Sequence, residues 1–117
     1  MKLYCVVNEL KPEHVKDYSE YHRNAHKTEW KTQLKVLREA GMELCNVYIW
    51  RNYAIMVVGC EDLDECYRRL ATMEDNLRWQ ELMSGFFAGQ PKFDGTETIS
   101  LEQIFDLAEQ SKLCSAE

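Results

Sequence analysis

Glycine and proline are scarce in this 117-residue chain, 5 and 2 respectively, which excludes collagen-like, low-complexity and linker-rich organisation. No apolar run approaches a membrane span, and the opening Met-Lys-Leu-Tyr-Cys-Val-Val turns polar at Asn8 before a signal-peptide core could form. Positive charge is also short: 14 Lys and Arg stand against 20 Asp and Glu, a formal charge of -6, and the basic residues form no stripe. Nucleic acid and anionic membranes are therefore set aside as partners, and a neutral or weakly charged small ligand fits better. The 5 cysteines, Cys5, Cys45, Cys60, Cys66 and Cys114, are an odd set without C-x-x-C spacing, so they spell neither a disulfide nor a zinc framework. The expected compartment is the cytoplasm.

What is there, 45% hydrophobic and 29% charged residues, is the composition of a folded protein, and the length predicts a single domain over residues 1–117. A domain of this size buries roughly 65% of its unfolded surface, so a subunit interface would add useful stability.

Residues 3 to 8 alternate β-favouring side chains, with Leu3, Cys5 and Val7 on one face and Tyr4, Val6 and Asn8 on the other, the pattern of a strand. Pro12 stands at a helix start, and Glu13 to Tyr21 is rich in helix formers, with Val15, Tyr18 and His22 on one face. Thr28 to Ala40 predicts a second helix, striped by Trp30, Leu34 and Leu37 and stopped at Gly41. Met42 to Arg51 and Tyr53 to Cys60 read as a hairpin around Arg51-Asn52. Leu63, Cys66, Tyr67 and Leu70 restore a helical period. After Asp75-Asn76 a short helix groups Trp79, Leu82, Met83 and Phe86, ended by Gly85, Gly89 and Pro91. A polar loop to Thr98 leads into a closing strand, Ile99 to Phe105, and Ala108 to Glu117 reads as a frayed tail.

The order strand, helix, strand, strand, helix, strand predicts a ferredoxin-like α+β domain, an antiparallel sheet with helices on one face. Its other face must be hidden, and pairing two sheets in a homodimer does so economically.

Tyr18, His22 and His26 are spaced four apart, so on a continuous helix they would line one face. A histidine near neutral pH gives or takes a proton, and a neighbouring tyrosine orients a hydroxyl; the plainer alternative is a helix end with surface histidines. His22 and His26 also have the spacing of two zinc ligands, but the adjacent Glu of H-E-x-x-H is missing and His14 is the one other histidine, so no metal is expected. Trp79 is either a core anchor or the wall of a sugar pocket. Trp30 favours the core, Trp50 a sheet face, and Cys45 and Cys60 read as small hydrophobes within strands.

In order and spacing these residues resemble the L-rhamnose mutarotases and the related L-fucose mutarotase-like proteins over nearly the whole chain. The likeness rests on the first strand leading into Pro12, Tyr18-x-x-x-His22, Trp30 with Leu37 and Gly41, Val47-Tyr48, Arg78-Trp79 with Leu82-Met83, and Leu101 to Phe105. The resemblance implies a dimeric α+β barrel that interconverts the α and β anomers of a 6-deoxy-L-hexose without a cofactor. It implies His22 as the proton donor, with Tyr18 and Trp79 against the sugar and His26 and Gln80 among its contacts. Opening a hemiacetal protonates the ring oxygen while the anomeric hydroxyl loses its proton, and reclosure reverses both transfers. The base is left open among Tyr18, His26 and a bound water.

Three departures separate the chain from the rhamnose enzymes. Arg23 to His26 resembles an insertion, which sets His26 beside His22 as a candidate acid; Cys45 stands where a substrate-contacting tyrosine is expected; and Gln80 stands in place of a second tryptophan. Fewer rings lean toward a fucose-like or other deoxy sugar. Two rival readings remain: a monooxygenase of the same dimeric architecture, for which the late haem-ligating histidine is missing, and a noncatalytic sugar-binding or regulatory dimer.

Overall fold

The computed structural model describes residues 1–88 and 99–115. Four strands, β1 (Lys2–Glu9), β2 (Leu44–Trp50), β3 (Tyr53–Cys60) and β4 (Ile99–Leu101), form one sheet in the order β2-β3-β1-β4. Every pairing is antiparallel, with Val6 opposite Met56 and Ser100, and Val47 also opposite Met56. This is the α+β architecture expected from the element order.

Four helices cover one sheet face: α1 (Val15–Arg23), α2 (Lys31–Glu39), α3 (Leu63–Leu70) and α4 (Glu74–Ser84). Under α2 and α3, Val6, Val58 and Cys60 of the sheet meet Val36, Leu63, Cys66 and Leu70. Under α1 and α4, Leu10 and Ala54 meet Tyr18, Trp79, Met83 and Phe87, with Trp30 packed alongside as its helical spacing suggested. Each large aliphatic side chain so buried contributes about 1.5–3 kcal/mol, which is what holds these short helices in place.

Local signals set the helix ends. The Asp62 carboxylate accepts from the Glu65 N–H at 3.2 Å to start α3. Gly41, with φ at 107°, ends α2, and the Met42 N–H turns back to the Leu37 carbonyl at 3.1 Å, a Schellman closure. At the hairpin, Arg51 takes a φ of 56° where glycine is usual. The turn is anchored to the end of β1 by Leu10 N–H to the Asn52 carbonyl at 2.7 Å and by Asn52 Nδ2 to the Leu10 carbonyl at 3.0 Å.

Three expectations change. The stretch from Pro12 is a turn of 3-10 helix, Pro12–His14, before α1, and a second such turn, Ala25–Lys27, separates α1 from α2. The closing strand spans Ile99–Leu101 and stops well short of Phe105. The tail expected to fray carries a helix, α5 (Leu107–Ser115), with none of its residues buried. The expected helix stops at Gly89 and Pro91 and the polar loop to Thr98 lie outside the described residues, as does the very end of the tail.

Among the described residues the second face of the sheet has no helix packed on it. Register places Leu3, Cys5 and Val7 of β1 there with Ile55 and Val57 of β3, Tyr48 and Trp50 of β2 and Leu101 of β4. Leu3, Tyr48, Trp50 and Leu101 are 43–57% exposed.

Candidate active site

A cavity of about 540 Å³ opens between the helices and the sheet, in the size range of small-molecule sites. Its walls come from both apolar clusters: Leu37, Met42, Met56 and Leu70 from one, Tyr18, Trp79, Met83 and Phe87 from the other. Polar groups set into this wall include Asn8, His22, Gln33, Tyr67 and Gln80.

One turn of α1 separates Tyr18 from His22, so their rings lie side by side with centroids 4.2 Å apart. The Trp79 ring of α4 lies across that of His22 with centroids 5.2 Å apart and planes at 74°, and Trp30 in turn meets Trp79 at 5.5 Å. His22 Nδ1 lies 2.7 Å from the Tyr18 carbonyl oxygen. A carbonyl only accepts, so Nδ1 carries the hydrogen, and in the neutral ring Nε2 is left with its lone pair. Burial pulls the His22 pKa below 6.5, and the bond to the Tyr18 carbonyl opposes that fall without cancelling it.

The phenols stay protonated. Burial, with the Cys45 thiol as a lesser cause, pushes Tyr18 far above the ordinary tyrosine range, and burial likewise pushes Tyr67 up to about 12. Burial also raises the Cys45 thiol, which lines the cavity as an uncharged group.

Of the residues singled out by spacing, Tyr18, His22, Trp79 and Gln80 line this one cavity. His26 does not. The α1 helix ends at Arg23, so the four-residue step from His22 crosses a break at Asn24, and His26 sits exposed on the following turn away from the cavity wall. Among the described residues no group of three His, Cys, Asp or Glu is arranged to hold a metal ion.

The family model for L-rhamnose mutarotase matches residues 3–107 of the sequence. The chain belongs to the L-rhamnose mutarotase family. It is thus a sugar mutarotase, an isomerase acting on carbohydrates. Among solved structures, an L-rhamnose mutarotase from Formosa agariphila is similar with a TM-score of 0.70 at 17% identity, covering 92% of this chain and 99% of that one. A protein from Nitrosomonas europaea described as an antibiotic biosynthesis monooxygenase is similar with a TM-score of 0.58 at 11% identity, covering 88% and 89%. At such identities both likenesses concern the fold. No curated protein matches the sequence. Among the described residues no helix is long and apolar enough to cross a membrane.

The mutarotase cavity also has a polar wall residue that spacing did not reveal, Gln33. Gln33 and Asn76 behind it are 4% and 3% exposed, and Gln33 donates to Asn76 at 2.8 Å across 43 residues of sequence. Gln33 occupies a helix position where a glutamine ordinarily faces water, so its burial is a product of tertiary packing. Of the helical stripe Leu63, Cys66, Tyr67 and Leu70, Tyr67 and Leu70 form part of the cavity wall.

Proposed function

We propose that this mutarotase interconverts the α and β anomers of a 6-deoxy-L-hexose, L-rhamnose or L-fucose, with His22 moving the proton. The observation that carries the reading is the convergence of Tyr18, His22 and Trp79 on one cavity, with Nδ1 of His22 tied back and Nε2 without a hydrogen-bond partner among the described residues. The neutral imidazole takes the proton of the anomeric hydroxyl at Nε2 as the ring opens. The resulting imidazolium returns it to the same oxygen after the carbonyl has turned its other face, so the histidine is base and acid in alternation. This departs from the role the resemblance implies, in which His22 is the acid at the ring oxygen. With Nδ1 holding the hydrogen against the Tyr18 carbonyl, the neutral ring offers a base at Nε2 for the opening half and, once protonated, serves as acid in the closing half. The ring oxygen takes its proton from a donor held near it, a bound water or the Tyr18 phenol, and on reclosure the hydroxyl at that position hands the proton back to the same group. Trp79 supplies the flat apolar wall for the C–H face of the sugar.

Two further parts of the reading concern assembly and place. The open apolar sheet face, with Trp50 and Leu101 exposed on it, supports a homodimer formed sheet to sheet. All 5 cysteines are free thiols, which supports a reducing, cytoplasmic setting.

Anomeric exchange followed by NMR saturation transfer on L-rhamnose and L-fucose tests the reaction. The wild type is expected to accelerate exchange on at least one sugar, and His22→Ala to lose about 10²–10⁴-fold of it. Exchange at the uncatalysed rate on both sugars overturns this substrate class, and exchange unchanged in His22→Ala overturns the role of the histidine.

A further inference from the structure

One residue of the cavity wall holds a polar atom that is both buried and without a partner among the described residues. Gln33 on α2 is 4% exposed, lines the cavity, and its Oε1 has no hydrogen-bond donor among the described residues. Its Nε2 donates to Asn76 Oδ1 at 2.8 Å. The same Asn76 oxygen accepts from Gln80 Nε2 at 3.2 Å, and Asn76 Nδ2 donates to the Leu70 carbonyl at 2.9 Å.

This relay fixes which way each amide points. The Leu70 carbonyl can only accept, so Asn76 must direct its NH₂ there and its oxygen toward the two glutamines. Each glutamine must then offer its own NH₂ to Asn76. For Gln33 this leaves the carbonyl oxygen over, and swapping its ends would set oxygen against oxygen. An acceptor held at this depth without a donor is a standing penalty that an apolar residue would avoid. Two of the three amides, Gln33 and Gln80, stand in the wall of the same cavity, so the relay braces one end of the site against the backbone of α3.

We propose that Gln33 is a specificity-determining residue: its Oε1 receives a hydrogen bond from a ring hydroxyl of the bound sugar. The site therefore selects a sugar with a free hydroxyl at that carbon and discriminates against the analogue in which it is removed or O-methylated. The inference rests on the sugar-site reading above and adds to it the demand for a donor at a fixed place. An apolar substituent at that carbon supplies no donor, and a ring oxygen supplies none either.

The test compares L-rhamnose and L-fucose with their 2-, 3- and 4-deoxy and mono-O-methyl analogues, all with a free anomeric hydroxyl, on wild type and Gln33→Met. Exchange is read by NMR saturation transfer, and binding separately by ligand-observed saturation-transfer difference. Wild type is expected to lose about 10- to 100-fold in kcat/KM at one ring position for both analogue types, the scale of one hydrogen bond. In Gln33→Met that gap closes, KM for the parent sugar rises more than kcat falls, and Tm is held or raised because the unsatisfied oxygen is gone while Asn76 keeps Gln80. A wild-type response that is flat across the analogues overturns the inference whether or not the variant folds, as does a gap that persists in Gln33→Met. If no sugar is turned over but the binding panel shows the same gap and its closure, the catalytic reading fails and the role of Gln33 stands. If no sugar binds, both fall.

Discussion

At His22 two effects oppose each other. Burial disfavours the imidazolium, the Tyr18 carbonyl favours it, and burial is the larger, so the ring stays neutral to lower pH than the ordinary 6.5. Because the neutral ring begins the reaction, the acid limb of kcat/KM is expected below pH 6.5. Linkage gives the same group a stability signature. The unfolded chain binds a proton near pH 6.5 and the folded one only lower, so stability is full above 6.5 and is lost as pH falls through the folded pKa. Urea unfolding at a series of pH values on either side of that point is expected to show a flatter acid slope for His22→Asn than for wild type. Much of this site was legible in the sequence, because the four-residue step from Tyr18 to His22 is a local fact and a lone late-helix Trp79 is a conspicuous ring. Gln33 was not legible: its partner lies 43 positions away, and no spacing rule reaches that far. The same step rule failed at His26 because it presumes a continuous helix, and the helix ends at Arg23.

Among the elements, the ends with chemical stop signals were the readable ones. Gly41 is such a signal, and its φ of 107° shows why glycine stands there. A methyl group added at Gly41 would meet Arg69 Nη1 at 3.2 Å in addition to the backbone strain. Gly41→Ala is therefore expected to lower stability by about 1–2 kcal/mol in chemical unfolding with the fold retained. The C-terminal stretch was read less well. Ile99 to Phe105 has strand-like composition, but β4 keeps only the three residues that find partners on β1, opposite Cys5, Val6 and Val7. Ladder partners, which the sequence of one strand does not contain, decide where pairing stops. Beyond it, Leu107–Ser115 is rich in helix formers such as Leu107, Ala108, Gln110 and Lys112, so local propensity builds a helix even where no core receives it.

The whole molecule measures 51 × 30 × 28 Å with a radius of gyration of 15.5 Å. A compact chain of this length would have a radius of gyration of about 13 Å. The excess fits the exposed run from Leu101 through α5, where Ile104, Phe105 and Leu107 are 64–89% exposed. Together with Tyr48 and Trp50 on the uncovered sheet face, this is more apolar surface than an isolated small domain usually leaves to water. The sheet-to-sheet dimer predicts that Trp50→Asp combined with Leu101→Asp halves the mass seen by light scattering while far-ultraviolet circular dichroism is unchanged. A wild type already of monomer mass would dismiss that dimer.

The cavity divides what would otherwise be a single core. Its walls draw on two apolar clusters, one beneath α2 and α3 and one beneath α1 and α4. A guest seated between them stands in the position of a missing central side chain, touching both halves at once. Occupancy by a ligand that binds only the folded chain adds to folding free energy in proportion to the logarithm of its concentration, about 2.7 kcal/mol at a hundred times Kd. For a domain this small, that is a sizeable part of the margin between folded and unfolded. The protein is then sturdiest when its substrate is plentiful and most exposed to turnover by proteases when the sugar runs out, so the hollow that serves chemistry also lets abundance of the enzyme follow abundance of what it acts on.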